Sequence, residues 1–121
     1  MKFTELPALG HPLLNGIFSG VTTRTDGTHC AVVLRPGKAE DLTWEEAKAW
    51  AAEQGGELPT RPVAALLFAN VKPALPPEWH WTAEEHGNFY AWTCYFGNSL
   101  QYSHHKNYER SAVSVLLIPL E

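Results

Sequence analysis

The chain has 121 residues, 45% of them hydrophobic and 18% charged, with a formal net charge of −4. That length fits one domain spanning residues 1–121 with a sizeable core, and the composition excludes a disordered tail. The acidic balance and nine scattered Lys and Arg residues argue against a nucleic-acid binder that works by neutralising phosphates. No apolar run approaches the ~20 residues that membrane insertion requires.

Residues 1–15, rich in Pro, Gly and Leu, read as an irregular lead-in. A hairpin follows, from Gly16–Arg24 and Thr28–Arg35, with Asp26-Gly27 predicting a type I′ turn. Cys30, Val32 and Leu34 alternate with Ala31 and Val33, so both faces of the second strand are apolar and the strand should be well covered. Thr43 then predicts a helix N-cap, with Glu46 completing a capping box and Leu42 packing on Ala47. Trp44, Ala47, Ala51 and Gln54 form one stripe, with Trp50 and Leu42 near its border, and Gly55-Gly56 ends it. Thr60 caps a second predicted helix, Arg61–Asn70, which tolerates Pro62 in its first turn and buries Val63, Leu66 and Leu67. Pro73, Pro76 and Pro77 enforce a loop.

Three strands are predicted next, Trp79–Ala83, Phe89–Phe96 and Leu100–His104, the last two joined by Gly97-Asn98. Lys106–Ser111 reads as a loop. Ala112–Leu120 is a final strand, apolar enough to be central, with Pro119 marking its end or an edge position. A hairpin, two helices and a block of strands imply an α+β fold, two helices packed on a mostly antiparallel sheet. The first and last long strands, both strongly apolar, are expected to pair.

Several stretches, LTWEEAKAWAAEQGGELPTR, WTAEE, AWTCYFGNSLQ and Lys106–Arg110, resemble the bacterial and phage C-type-lectin-like domain of unknown function. That family is related in fold to the variable proteins of diversity-generating retroelements and to phage receptor-binding tips. The resemblance runs from Leu42 to Ile118. It implies a C-type-lectin-like fold with paired terminal strands and a second small sheet, and it implies display of a binding face rather than catalysis. Two departures stand out. The family's basic Arg-x-Val-Arg ending is replaced by the apolar SAVSVLLIPL, and the two cysteines do not match the disulfides of animal C-type lectins.

The candidate chemistries weigh against catalysis. His80, His86, His104 and His105 are expected to be surface residues, since His104 and His105 point to opposite faces of an extended strand. Neither calcium-binding lectin motif is present, so no metal and no cofactor is expected. Cys30 and Cys94 fit no zinc or redox spacing; they are expected as reduced, buried thiols, though their pairing stays open. Cys94 alternates in phase with Trp92 and Phe96, the position of an inert buried thiol. An enzyme in the mould of the formylglycine-generating fold is therefore the least favoured reading.

Recognition remains. Residues 79–105 hold three of the five tryptophans, three of the four tyrosines and four of the six histidines. The family pattern makes Trp92 and Phe96 core, with Trp79 and Trp81 as further anchors, and turns Thr93 and Tyr95 to the opposite side. The predicted ligand-binding face is Thr93, Tyr95, Ser99, Gln101, Ser103, His105, Asn107 and Tyr108, a composition suited to adaptable binding. In the retroelement relatives this stretch is the diversified one, and Tyr95, Asn98, Ser99, Tyr102, Ser103, His104, His105, Asn107 and Tyr108 are all residue types reachable from Asn codons.

The reading is thus a non-catalytic binding module for a protein or glycan ligand, of phage or prophage origin. It leaves room for a homo-oligomer or for attachment to a larger phage structure. The alternative is an intracellular phage accessory protein that binds or inhibits a host protein. MKFTELPALGHPLLNG has no leader-like apolar run, so the chain is expected to be cytoplasmic as synthesised, with virion association as the resemblance's addition.

Overall fold

The structure, a computed structural model, describes residues 1–121. In chain order its elements are β1 (Pro12–Leu13), β2 (Gly16–Thr23), β3 (His29–Leu34), β4 (Ala39–Leu42), α1 (Trp44–Glu53), α2 (Arg61–Val71), β5 (Trp79–Glu85), β6 (Tyr90–Tyr95), β7 (Gln101–His105), β8 (Arg110–Ala112) and β9 (Val115–Pro119). The strands form two sheets, ordered β1-β2-β3-β9 and β4-β8-β5-β6-β7. Every pairing is antiparallel except that of β5 with β8. The α+β class is as expected; the last strand, β9, pairs with β3, the second strand of the hairpin, Ala31 opposite Ile118 and Val33 opposite Leu116, and not with β2, the first long strand.

In β3, Cys30 through Leu34 are all buried, as two apolar faces require of a strand with neighbours on both sides. The turn before it differs from expectation. Gly27 alone has a positive φ there, +90°, whereas a type I′ turn needs two. Gly27 N–H instead bonds back to Arg24 C=O, and Arg24 N–H to Thr28 C=O. This is the three-residue hairpin loop in which one left-handed glycine absorbs the twist.

The last strand is also corrected. β9 lies at a sheet edge and is not central. On its outer side Val115 exchanges two hydrogen bonds with Glu57, at 2.8 and 2.9 Å. Since backbone groups alternate sides along a strand, the outward position recurs at Leu117 and Pro119, so the N–H that Pro119 lacks would have faced away from β3. Three short strands were not expected: β1, within the segment read as an irregular lead-in, β4, just ahead of α1, and β8, whose first residues fall in the segment read as loop.

Both helices begin where capping predicts. Thr43 Oγ1 accepts from Glu46 N–H while Glu46 Oε1 accepts from Thr43 N–H, and Thr60 Oγ1 accepts from Val63 N–H. Gly55, at φ +79°, follows the end of α1. The helices serve two separate cores. From α2, Val63, Ala64, Leu67 and Val71 pack between the sheets against Val32, Leu34, Val115, Cys94 and Phe96. From α1, Trp44, Ala47 and Ala51 pack on Trp81, Ala91 and Ala112 of the second sheet. At this second contact two indoles cross-tie the layers: Trp44 Nε1 donates to Thr82 C=O at 2.9 Å, and Trp81 Nε1 to Leu42 C=O at 2.8 Å. Buried indoles need such acceptors.

Candidate functional site

The second sheet carries the predicted binding residues, and its register decides which of them share a face. Trp79 pairs with Tyr95, Trp81 with Thr93 and His80 with Cys94. Across β6 and β7, Thr93 pairs with Tyr102, Cys94 with Gln101, Trp92 with Ser103, Ala91 with His104 and Tyr90 with His105. Directly paired residues point the same way. One face therefore holds Trp79, Trp81, Ala91, Thr93, Tyr95, Tyr102 and His104. The other holds His80, Trp92, Cys94, Gln101, Ser103, His105 and Tyr90.

This divides the predicted face. Thr93 and Tyr95 stand on one side of the sheet; Gln101, Ser103 and His105 stand on the other. Thr93 is also fully buried. Its hydroxyl donates to Tyr102 C=O at 2.9 Å, while Trp79 on β5 and His104 on β7 meet edge to face, ring centroids 4.9 Å apart, across the strand that carries it. Thr93 cannot touch a ligand. Gln101 is a strut: its Oε1 accepts from Arg61 Nε at 2.8 Å and its Nε2 donates to Arg61 C=O at 2.9 Å, tying β7 to the start of α2. Ser99 sits in the turn before β7 at φ +67°. His105 accepts from Asn107 N–H through Nδ1 and stacks its ring near Tyr90 and Phe89. Tyr95 and Tyr108 are the two expected residues that meet at one accessible surface.

That surface is aromatic. Trp79 lies 5.2 Å from Tyr95, 6.0 Å from Tyr102 and 4.9 Å from His104, centroid to centroid. Tyr108 continues it, 6.2 Å from His104, and Arg110 lies over the Tyr108 ring at 5.1 Å. Tyr102 and Tyr108 are more than half exposed, at 55% and 53%. Sequence reasoning missed Trp79, Tyr102, His104 and Arg110 as members. A signal for Tyr102 and His104 was present: they occupy the alternate phase of β7, but phase alone did not say which phase shares the face of Tyr95.

Arg110 also sets the state of His104. Its Nε donates to His104 Nδ1 at 3.1 Å, so Nδ1 must carry a lone pair and the imidazole proton sits on Nε2. Burial first, and then the Arg110 guanidinium, hold His104 below the ordinary histidine value. The cation and the buried site both favour the neutral ring.

Beside the rings lies a shallow cleft of about 300 Å³, lined by Trp79, Tyr95, Asp41, Glu78, Glu109 and Arg110. Asp41 enters it from a left-handed position, φ +58°. Glu78 Oε1 accepts from Ser111 Oγ. Of the larger clefts, the two of about 540 and 630 Å³ offer less free chemistry, and a third of about 510 Å³ is lined by the already engaged Arg61, Glu84 and Gln101. In the first, the Arg35 guanidinium is engaged by Leu14 and Gln54 carbonyls. In the second, Glu84 lies at the α2 N-terminus, its Oε2 accepting from Arg61 N–H.

The histidines and cysteines behave differently from one another. His80 is fully buried, which corrects its expectation as a surface residue. Its Nδ1 donates to Glu78 C=O at 2.8 Å, Nε2 has no partner, and burial pushes its pKa down. Cys30 and Cys94 are free thiols, both buried, and burial pushes Cys94 up. No three His, Cys, Asp or Glu side chains converge as metal ligands. Trp92, expected as core, is half-buried, with Arg61 over its ring at 3.6 Å and His86 stacked at 4.7 Å. No helix is long and apolar enough to cross a membrane.

No protein-family model and no curated protein sequence matches the chain. The class that can be stated is the α+β domain described above.

Proposed function

We propose that the chain is a non-catalytic binding module of C-type-lectin-like type whose recognition surface is the Trp79–Tyr95–Tyr102–His104–Tyr108 ring cluster and its acidic cleft. One observation carries the reading: an accessible run of aromatic rings lies directly beside the carboxylates of Asp41, Glu78 and Glu109 and the guanidinium of Arg110. The combination suits a glycan. Rings take the C–H face of a sugar, and carboxylates accept its hydroxyl protons. The lectin-like fold is supported by the β3–β9 pairing and by a second sheet that carries the site. A phage or prophage setting belongs to the same proposal, on a virion or as an accessory protein inside the host. Buried Cys94, with its thiolate disfavoured, supports a role without covalent chemistry.

Retention on a panel of immobilised oligosaccharides tests this directly. The parent chain should bind, and the Trp79→Ala and Tyr95→Ala variants should lose binding while keeping the parent's far-UV spectrum. Binding unchanged in both variants would place recognition elsewhere. No retention of the parent on any glycan would turn the reading to a protein ligand.

A further inference from the structure

We propose that β7 is a strand-pairing edge and that a second copy of this chain occupies it, antiparallel about a two-fold axis at Ser103, so that two second sheets become one.

Each sheet has two edges, and native proteins guard edges against unwanted pairing. Three of the four here are guarded. β1 is two residues long. β4 is broken by a register shift between Ala39 and Leu42, with Asp41 at φ +58°. β9 gives the outer bonds of Val115 to Glu57 and places Pro119 at an outward position. The fourth, β7, has no guard. Gln101–His105 contains no proline and no Asp, Glu, Lys or Arg, and its ladder to β6 runs without a bulge.

The outward groups can be assigned from parity. Leu100 C=O accepts from Tyr95 N–H, and Lys106 N–H donates to Phe89 C=O, both at 2.8 Å. Even positions therefore bond inward to β6, and Gln101, Ser103 and His105 direct their backbone groups outward. Only His105 C=O has another partner, Tyr108 N–H.

The side chains around this edge favour a copy of the same chain. Of the nine large apolar side chains left exposed, three (Leu100, Tyr102 and Tyr108) lie on β7 or the turns beside it, and two more, Tyr90 at the start of β6 and Phe89 just before it, pack against His105 of β7. Apolar surface concentrated at one open edge marks an interface. The register centred on Ser103 keeps all five residues paired: Gln101 of each copy faces His105 of the other, Tyr102 faces His104, and Ser103 meets its counterpart. Outward groups then meet outward groups, two aromatic cross-strand pairs form, and no like charges are opposed within the strand. A closed two-fold contact of this kind ends at the dimer. The inference does not rest on the ligand-binding reading.

The test is the mass of the full chain in solution, by sedimentation from micromolar to millimolar concentration. The parent should dimerise. Ser103→Pro removes an outward N–H and no bond to β6, so it should weaken dimerisation by about tenfold or more and keep the parent's spectrum. Should that variant fail to fold, Ser103→Cys decides. In the dimer the two Cα atoms of this pair stand ~5.5 Å apart, within disulfide span. Mild oxidation should then join the copies much faster than it joins Glu53→Cys on the exposed side of α1; Cys30 and Cys94 are buried and do not compete. A chain that stays monomeric with no preferential crosslink overturns the proposal, whether the edge is then bare or taken by a different protein's strand. A dimer that folded Ser103→Pro leaves unweakened overturns it too.

Discussion

Trp79 and Trp81 are two residues apart on one strand and one face, yet they do opposite work. Trp81 is sealed under α1, its indole bonded to Leu42 and its ring packed with Trp44 and Ala47. Trp79 is half-buried, walled by Tyr95, Tyr102 and His104, with a cleft beside it. The α1 helix covers one end of the sheet face and leaves the other to rings alone. A sheet face is therefore not core or site as a whole; what lies over each end decides.

The sharpest way to test that contrast is to truncate both residues. Trp81→Ala should cost ~3–5 kcal/mol in denaturant unfolding, as for a large aromatic removed from a closed core. Trp79→Ala should cost less, about 2 kcal/mol, since part of its surface is already in contact with water, and should abolish ligand binding. Equal losses at the two sites would erase the distinction. Loosening the cover is a smaller step: Thr43→Ala removes the α1 cap and should cost about 1 kcal/mol with ligand binding unchanged. Tyr95→Ala should move the melting temperature less still while weakening binding; a large stability loss would show that Tyr95 belongs to the core.

The smallest single perturbation is a proton. His80 is held below the ordinary value of 6.5 by burial, so the unfolded chain binds the proton more readily than the folded one. The stability this contributes is whole above pH 6.5 and declines as the pH falls from there through the folded value. His104 has the same sign, and its protonation also breaks the bond from Arg110. Unfolding midpoints measured from pH 8 downward should fall below pH 6.5. His80→Gln should flatten part of that fall while leaving the pH response of the aromatic surface, read by tyrosine and tryptophan fluorescence, in place.

Much of the architecture was legible. Thr43, Glu46 and Thr60 announced the helix starts because capping is a local bargain between a side chain and unpaired backbone donors. Gly55 announced the first helix's end, and the alternating apolar run of β3 announced a covered strand. The misreadings were of another kind. The strand containing Pro119 looked central because it is apolar, yet its outer neighbour is one bridge to Glu57. The binding face was assembled from residues of the right type on both sides of the sheet. Their strand phases were readable, but the partner of each was not.

From the sequence alone came the caps, the turn glycines and the period-two alternation, because each is settled within a few residues of chain. The tertiary structure alone settled that Thr93 pairs with Tyr102, placing Gln101 on the other face, and that α1 covers Trp81 and not Trp79. Both depend on contacts between residues far apart in the chain. A register slip of one would reverse every side chain, and nothing local to either strand selects against it.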